Sequence, residues 1–168
     1  TNATTRLTEI ENAKRDMELQ REREERWKHM QANEAGFMQA LRKFGTVSKN
    51  ERGIILTLPE SFWSSTRAAS FAPNADAKIG SISEILSSNP DYKISIESHT
   101  DDQGTPEELE ALTRQRSRAI ADRLSVFGIP EARMETRGLG GTLPVAPNNT
   151  NANRAKNRRV QVILSPAI

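Results

Sequence analysis

The spacing of apolar residues predicts a long helix in the first quarter of the chain. Residues 6–44 contain no proline and one glycine, Gly36, and are rich in Glu, Arg, Lys, Gln, Met and Ala. That composition favours one continuous helix. The charged run at residues 20–26 interrupts its apolar stripe, which a stable two-stranded coiled coil would not normally tolerate. We therefore predict a monomeric, solvated stalk, stabilised by opposite charges three and four residues apart, whose last turns at residues 37–44 pack on a domain.

Short apolar segments follow and alternate between two periodicities. A two-residue period predicts strands, and a capping residue with proline in the first turn, Thr105-Pro106, marks the clearest helix start. The predicted strands are residues 53–59, 92–97, 133–137 and 159–164, and the predicted helices are residues 74–87 and 106–127. This order predicts an α/β (α+β) two-layer sandwich, βαβαββ, with a mixed sheet and two helices on one face, preceded by the long N-terminal helix.

The same segments give the predicted domain organisation. Residues 1–48 form the helical stalk or linker, and residues 49–168 form the domain. The segment 138–158, rich in glycine, proline and asparagine, is predicted to be a long loop. Loops of that length in compact domains often carry function.

Composition narrows the function classes. A net charge of +2 at a sequence pI of about 9.1 reflects a small excess of bases, so we expect no nucleic-acid partner. The chain has no cysteine, which excludes disulfides and cysteine zinc sites. It has no run of about 18 apolar residues, and residues 1–6 lack the pattern of a secretory signal. Membrane attachment is therefore expected only through an N-terminal segment missing from this chain.

One arginine lies within the apolar stripe of the second predicted helix. Arg116 shares a face with leucines and isoleucine, where an unpaired charge would lose several kcal/mol, roughly, of hydration. We therefore expect a carboxylate near it, and the candidates Asp101 and Asp102 lie just upstream, between the end of a strand and the start of the helix. Two interpretations remain open. One of these carboxylates forms a structural ion pair with Arg116, or the two charges hold the ammonium and carboxylate of a zwitterion.

A wider set of residues resembles the OmpA-like peptidoglycan-binding family, which includes the OmpA C-terminal domain, Pal and MotB. The resemblance covers about residues 53–165 and rests on Ile94 to Asp101, Gly104, Leu112-Thr113, Arg116, Gly128-Ile129, Arg133, Gly138 to Gly140, Pro144, Asn148, Thr150, Arg154 and Asn157 to Val160. In that family an Asp and an Arg grip the free amino-carboxylate end of meso-diaminopimelate in the stem peptide. The resemblance implies these roles for Asp101 and Arg116.

Weaker candidates accompany these two residues, and the chain departs from the family pattern at several positions. Thr100 and Asn157 are predicted to organise or contact the site. Strand alternation sends Arg158 and Arg159 to opposite faces, and Arg158 is the one predicted to approach the site. Leu109 stands where the family usually has an asparagine that contacts the ligand. Three further departures are Ser98, Asn153 and Gln161. His99 is interpreted as a structural histidine, because no nucleophile or metal-ligand cluster accompanies it.

The resulting hypothesis is non-catalytic binding of peptidoglycan in the periplasm of a Gram-negative bacterium, associated with the outer membrane and cell wall. The diaminopimelate of the stem peptide is the expected ligand, with no cofactor, no metal and no catalytic residues. Other envelope proteins are possible partners of the N-terminal helix. The alternative keeps the domain and assigns it to a protein like the stators of flagellar motors. A peptidoglycan hydrolase is disfavoured, because the chain lacks a Cys-His or Ser-His-Asp set.

Overall fold

The computed structural model describes residues 2–168 and contains four α-helices and five strands in that range. The helices are α1 (Asn2–Leu41), α2 (Ala75–Ser87), α3 (Pro106–Val126) and α4 (Asn151–Asn157). The strands are β1 (Thr46–Asn50), β2 (Gly53–Leu58), β3 (Tyr92–His99), β4 (Met134–Gly138) and β5 (Arg159–Pro166). Two short 3-10 turns, Glu60–Phe62 and Glu131–Arg133, lie outside these elements.

The strands form one mixed sheet in the order β1-β2-β5-β3-β4. Only β3 and β4 are parallel, and α3 connects them, as a crossover between parallel strands requires. The α3 helix packs on both strands through the buried Ser117, whose hydroxyl bonds Ser98 of β3 and the Arg137 carbonyl of β4. The hydroxyl of Ser83 on α2 donates to the carbonyl of Phe127 at the end of α3. The predicted α/β sandwich with a mixed sheet and a preceding long helix is confirmed.

The start of α3 follows the sequence prediction in detail. The Thr105 hydroxyl accepts a hydrogen bond from the Glu108 N–H, and the Glu108 carboxylate accepts one from the Thr105 N–H. This capping box satisfies two of the backbone donors that a helix start leaves without partners. The helix therefore begins at a residue fixed by local chemistry.

Three sequence predictions need correction: the end of the first helix, one strand and one helix. The first helix ends at Leu41 and not at residue 44, and a turn leads into β1, a strand that the sequence did not predict. β1 lies at the edge of the sheet and is exposed except at Val47, so it lacks the alternation that signals a half-buried strand. The predicted loop at 138–158 contains α4. Its cap, Thr150, accepts from the Asn153 N–H, but the helix has no apolar stripe that would have revealed it.

The chain separates into two compact units. The first ends at Gly36 and also includes Ile168, and the second runs from Phe37 to Ala167. Within the second unit the last turn of α1 is buried at Phe37 and Leu41, and the Phe37 ring lies 4.8 Å from that of Tyr92. These contacts account for the packing predicted for the last turns of the helix. The domain boundary at residues 48 and 49 stays a prediction.

Candidate functional site

Asp101 lies two residues beyond His99, the last residue of β3, and is only 2% exposed. Its Oδ1 accepts hydrogen bonds from the backbone N–H of Gln103 and from Nη2 of Arg67, each at 3.0 Å. Its Oδ2 accepts a hydrogen bond from Nη1 of Arg158 at 2.7 Å. The carboxylate is thus saturated by one backbone donor and two guanidinium groups.

These contacts decide the protonation state of Asp101. Burial opposes ionisation, but the Gln103 N–H and the guanidinium groups of Arg158 and Arg67 outweigh it and hold the pKa of the carboxyl below its usual range. Arg158 is itself anchored, since its Nε and Nη2 donate to the two carboxylate oxygens of Glu60 at 2.8 and 3.2 Å. Burial lowers the pKa of Arg158, but the hydrogen bonds to Glu60 and Asp101 raise it above its ordinary value. Asp101 and Arg158 are therefore both charged at neutral pH.

Arg116 lies on α3 and is only 1% exposed. Its guanidinium donates hydrogen bonds to backbone carbonyls of the loop that follows β2: Nε to Ala68 at 2.8 Å, and Nη2 to Ser65 at 3.0 Å and Thr66 at 3.1 Å. The guanidinium carbon also stands 4.9 Å from the centre of the Trp63 ring, within the range of a cation–π contact. Arg116 is therefore enclosed by one loop.

Asp101 and Glu60 lie near Arg116, as expected for a buried guanidinium, but neither pairs with it directly. Backbone carbonyls satisfy the guanidinium, and within residues 2–168 no carboxylate forms an ion pair with it. Burial lowers the pKa of Arg116 to about 10; the charges of Glu60 and Asp101 raise it, and those of Arg67 and Arg158 lower it. Carbonyl dipoles can replace an anion here because three of them converge on one planar cation.

Asn157 and Thr100 are both buried but differ in their hydrogen bonds. The Asn157 side chain is fully buried and accepts hydrogen bonds from the N–H groups of Val145 and Ala146, while it donates to the Ala146 carbonyl and to Asn148 Oδ1. It therefore organises the loop before α4. Thr100 is buried directly before Asp101, and its hydroxyl makes no hydrogen bond to any described residue.

The structure thus brings Asp101, Arg158 and two unpredicted residues, Arg67 and Glu60, into one cluster next to Arg116. Arg67 lies in an irregular serine-rich segment, and sequence pattern offers no signal for its contact with a residue 34 positions away. Glu60 follows Pro59, directly after the end of β2. Because β2 and β3 both pair antiparallel with β5, their C-terminal ends lie on the same side of the sheet. The position of Glu60 after a strand that ends beside β3 is the one feature from which its place near Asp101 could have been predicted.

Leu109, the departure from the family pattern, lines a cavity of about 470 Å³ beside the cluster. The walls are mostly apolar and are contributed by Asp102, Gly104, Pro106, Leu109, Glu110 and residues 138–142. Gly141 approaches the Asp101 carbonyl so closely that a Cβ there would lie 2.6 Å from the oxygen. The segment 138–142 is thereby held against the back of Asp101.

His99 is 4% exposed, and its pKa is lowered from 6.5 to about 4. Burial is the main cause, and the charges of Arg159, Arg137 and Arg52 add to it against the opposing effect of Glu97. His99 is therefore neutral at physiological pH. Its Nδ1 has no hydrogen-bond partner among the described residues.

The depressed pKa of His99 predicts acid sensitivity. Between pH 6.5 and about 4 the unfolded chain binds a proton that the folded chain does not, so stability is lost as pH falls through that window. A shift of this size corresponds to about 3 kcal/mol. Urea unfolding at pH 7 and pH 4.5 should show a smaller pH dependence for His99→Gln than for the parent. His29→Gln, on the exposed part of α1, is the matched control and should leave the dependence unchanged.

Residues 2–168 contain neither a metal-ligand cluster nor a membrane-spanning helix. No group of three or more His, Asp or Glu side chains in that range is arranged to hold a metal ion. Over the same residues, none of the helices combines the length and apolarity needed to cross a bilayer.

The family model for the OmpA family matches residues 66–158, more than half of the chain and the whole segment from Arg67 to Arg158. The chain belongs to the OmpA family. Its match to the probable lipoprotein YiaD of Escherichia coli is 29% identical over 139 residues, covering 82% of this chain and 64% of YiaD. The peptidoglycan-binding protein ArfA of Mycobacterium tuberculosis is 33% identical over 97 residues, covering 58% of this chain and 30% of ArfA.

This OmpA-family chain thus spans less than two thirds of the length of either curated relative. Among solved structures, a putative MotB-like protein from Desulfovibrio vulgaris superimposes with a TM-score of 0.72 at 26% identity. The superposition covers 88% of this chain and 96% of that structure.

Proposed function

We propose that this OmpA-family chain binds peptidoglycan without catalysis, through the diaminopimelate of the stem peptide, and so tethers part of the cell envelope to the cell wall. The proposed location is the periplasm of a Gram-negative bacterium, in association with the outer membrane. The name of ArfA, a peptidoglycan-binding protein, supports the proposed binding of peptidoglycan. The name of YiaD, a probable lipoprotein, supports the proposed association with a membrane.

One observation carries the choice of ligand. An ionised carboxylate, Asp101, and a buried guanidinium, Arg116, are contacted by the same loop and match the two positions that grip diaminopimelate in the family. The free end of meso-diaminopimelate carries an ammonium and a carboxylate on one carbon. Asp101 would accept from the ammonium, and Arg116 would donate to the carboxylate in bidentate fashion. Arg158 donates a hydrogen bond to Asp101 and would hold the Asp101 carboxylate in place.

A second candidate function keeps the wall-binding domain but places it in a different kind of protein. In a stator-like protein of a flagellar motor the same domain would anchor the motor to the wall, with α1 as the linker. The overlap with the MotB-like structure from Desulfovibrio vulgaris favours this alternative. A lipidated cysteine in the protein that carries this domain would indicate the first candidate, and a transmembrane helix joined to the helical linker would indicate the second.

Wall chemistry provides the direct test of the ligand. The full chain should sediment with purified sacculi that contain diaminopimelate and bind at least tenfold less to walls with lysine at that position, because lysine lacks the carboxylate proposed for Arg116. Asp101→Asn should reduce binding to the first wall type by more than tenfold. Asp122→Asn, an exposed carboxylate on α3 paired with Arg118, is the matched control and should bind like the parent.

Two results would contradict this proposal. Equal binding to both wall types would remove diaminopimelate as the ligand. Clearing of peptidoglycan in a zymogram by the purified chain would replace non-catalytic binding with hydrolysis.

A further inference from the structure

Both residues proposed to bind the zwitterion are closed off by one loop, from Ser64 to Ser70. Asp101 is 2% exposed and Arg116 is 1% exposed, so a ligand cannot reach either while the loop holds this position. The groups that cover Asp101 and Arg116 from the loop are the Arg67 side chain and the carbonyls of residues 65, 66 and 68. The access of any ligand to the site therefore depends on this loop.

The loop presents the charge pattern of the proposed ligand. Arg67 places a cation on Asp101 Oδ1 at 3.0 Å, where the ammonium of diaminopimelate would bind. The carbonyl oxygens of Ser65, Thr66 and Ala68 converge on Arg116, where the carboxylate would bind. A positive group and a cluster of negative dipole ends thus occupy the two halves of the site.

We propose that the Ser64–Ser70 loop is an internal substitute for the zwitterion, and that Arg67 sets ligand affinity and selectivity by competing with the ligand's ammonium for Asp101. The proposal rests on the function proposed above and adds to it a residue that controls the same site.

Of the groups bound to Asp101, Arg67 is the one most easily displaced. Its side chain is 41% exposed, whereas that of Arg158 is 14% exposed and is also held by two hydrogen bonds to Glu60. The third donor, the N–H of Gln103, belongs to the backbone that follows Asp101. Arg67 also donates a hydrogen bond to the Gln103 carbonyl, but its exposed guanidinium can exchange both contacts for water. Arg67 is therefore the group that a ligand ammonium replaces.

The loop is built to move as a unit. It is closed at its base by the Ser64 N–H, which donates to the Ser70 carbonyl at 2.9 Å, and by the stacked rings of Trp63 and Phe71, whose centres are 5.2 Å apart. Residues 64–67 are all exposed. The loop can therefore leave the site without disturbing the core of the domain.

The selectivity for a zwitterion over a simple amine follows because the ligand must replace both the Arg67 cation and the loop carbonyls. A ligand that carries only an ammonium can take the place of Arg67 but leaves Arg116 without acceptors once the carbonyls move away. An unpaired buried guanidinium is strongly unfavourable. Only a ligand with both charges restores what the loop provides, so the loop favours a zwitterion over a simple amine.

The test compares Arg67→Gln with the parent in calorimetric titrations with free meso-diaminopimelate. We expect Arg67→Gln to bind three- to tenfold more tightly, because the competing cation is gone. Arg52→Gln is the matched control: Arg52 is also an exposed arginine on a buried carboxylate, Glu97, and its loss changes the net charge equally. That variant should bind like the parent. Weaker or unchanged binding by Arg67→Gln would overturn the proposal, whereas no binding by parent and variant alike would overturn the proposed ligand itself.

Tryptophan fluorescence reports the movement independently. The chain has two tryptophans, and Trp27→Phe leaves Trp63, at the base of the loop and 5% exposed, as the only reporter. Saturation with meso-diaminopimelate should shift its emission to longer wavelength as the loop exposes the ring. Binding that leaves the emission unchanged, or shifts it to shorter wavelength, would mean that the loop stays in place or closes over the ligand, and would overturn the proposal.

Discussion

Arg116→Ala should lower the free energy of unfolding by about 2–4 kcal/mol, although Arg116 is proposed to bind a ligand. The side chain is 1% exposed, stacks on Trp63 and provides three hydrogen bonds that hold the Ser64–Ser70 loop. Truncation removes the packing of its methylene stem and leaves carbonyls without donors. Denaturation by urea, followed by circular dichroism, measures the loss.

Arg114→Ala is the matched control for this variant. Arg114 lies half a turn away on the same helix, and its side chain is 64% exposed and pairs with Glu110 on the surface. We expect its loss to change stability by less than about 0.5 kcal/mol. If both variants unfolded like the parent, Arg116 would contribute nothing to holding the loop, and the enclosure of the site would need another cause.

Asn157→Ala should lower stability by about 2–3 kcal/mol. The Asn157 amide makes four hydrogen bonds to the segment before α4, from a side chain that is 0% exposed. No other side chain in the described range bonds the N–H groups of Val145 and Ala146. Asn157→Ala leaves these groups without partners and opens a cavity, and the loss can be measured by urea denaturation.

Two further variants separate these causes. Asn153→Ala, on the exposed side of α4, should change stability by less than about 0.5 kcal/mol. Asn157→Asp keeps the two acceptor bonds but places a buried carboxylate oxygen against the Ala146 carbonyl and Asn148 Oδ1, so we expect a loss at least as large as that of Asn157→Ala. A loss for Asn153→Ala equal to that for Asn157→Ala would assign the effect to the helix and not to the buried amide.

The parts of the fold that sequence predicts are those decided within one turn or one strand. The capping box of Thr105 and Glu108 is local, and the position of Arg116 in an apolar stripe follows from helical period alone. The partners of Arg116 do not follow, because backbone carbonyls look the same in every sequence. Arg67 and Glu60 meet their partners across 34 and 98 positions, through irregular backbone whose course no periodicity specifies.

The capping box at Thr105 has a consequence for how the family can vary in length. An α-helix turns by about 100° per residue, so a single insertion between Thr105 and Arg116 would rotate Arg116 out of the site. The number of residues between the cap and the arginine is therefore fixed as strictly as the arginine itself. The exposed segment between Gly141 and Thr150, which carries no such phase, can gain or lose residues as long as Asn157 still reaches its partners. Insertions and deletions should accumulate there and be absent from the first three turns of α3.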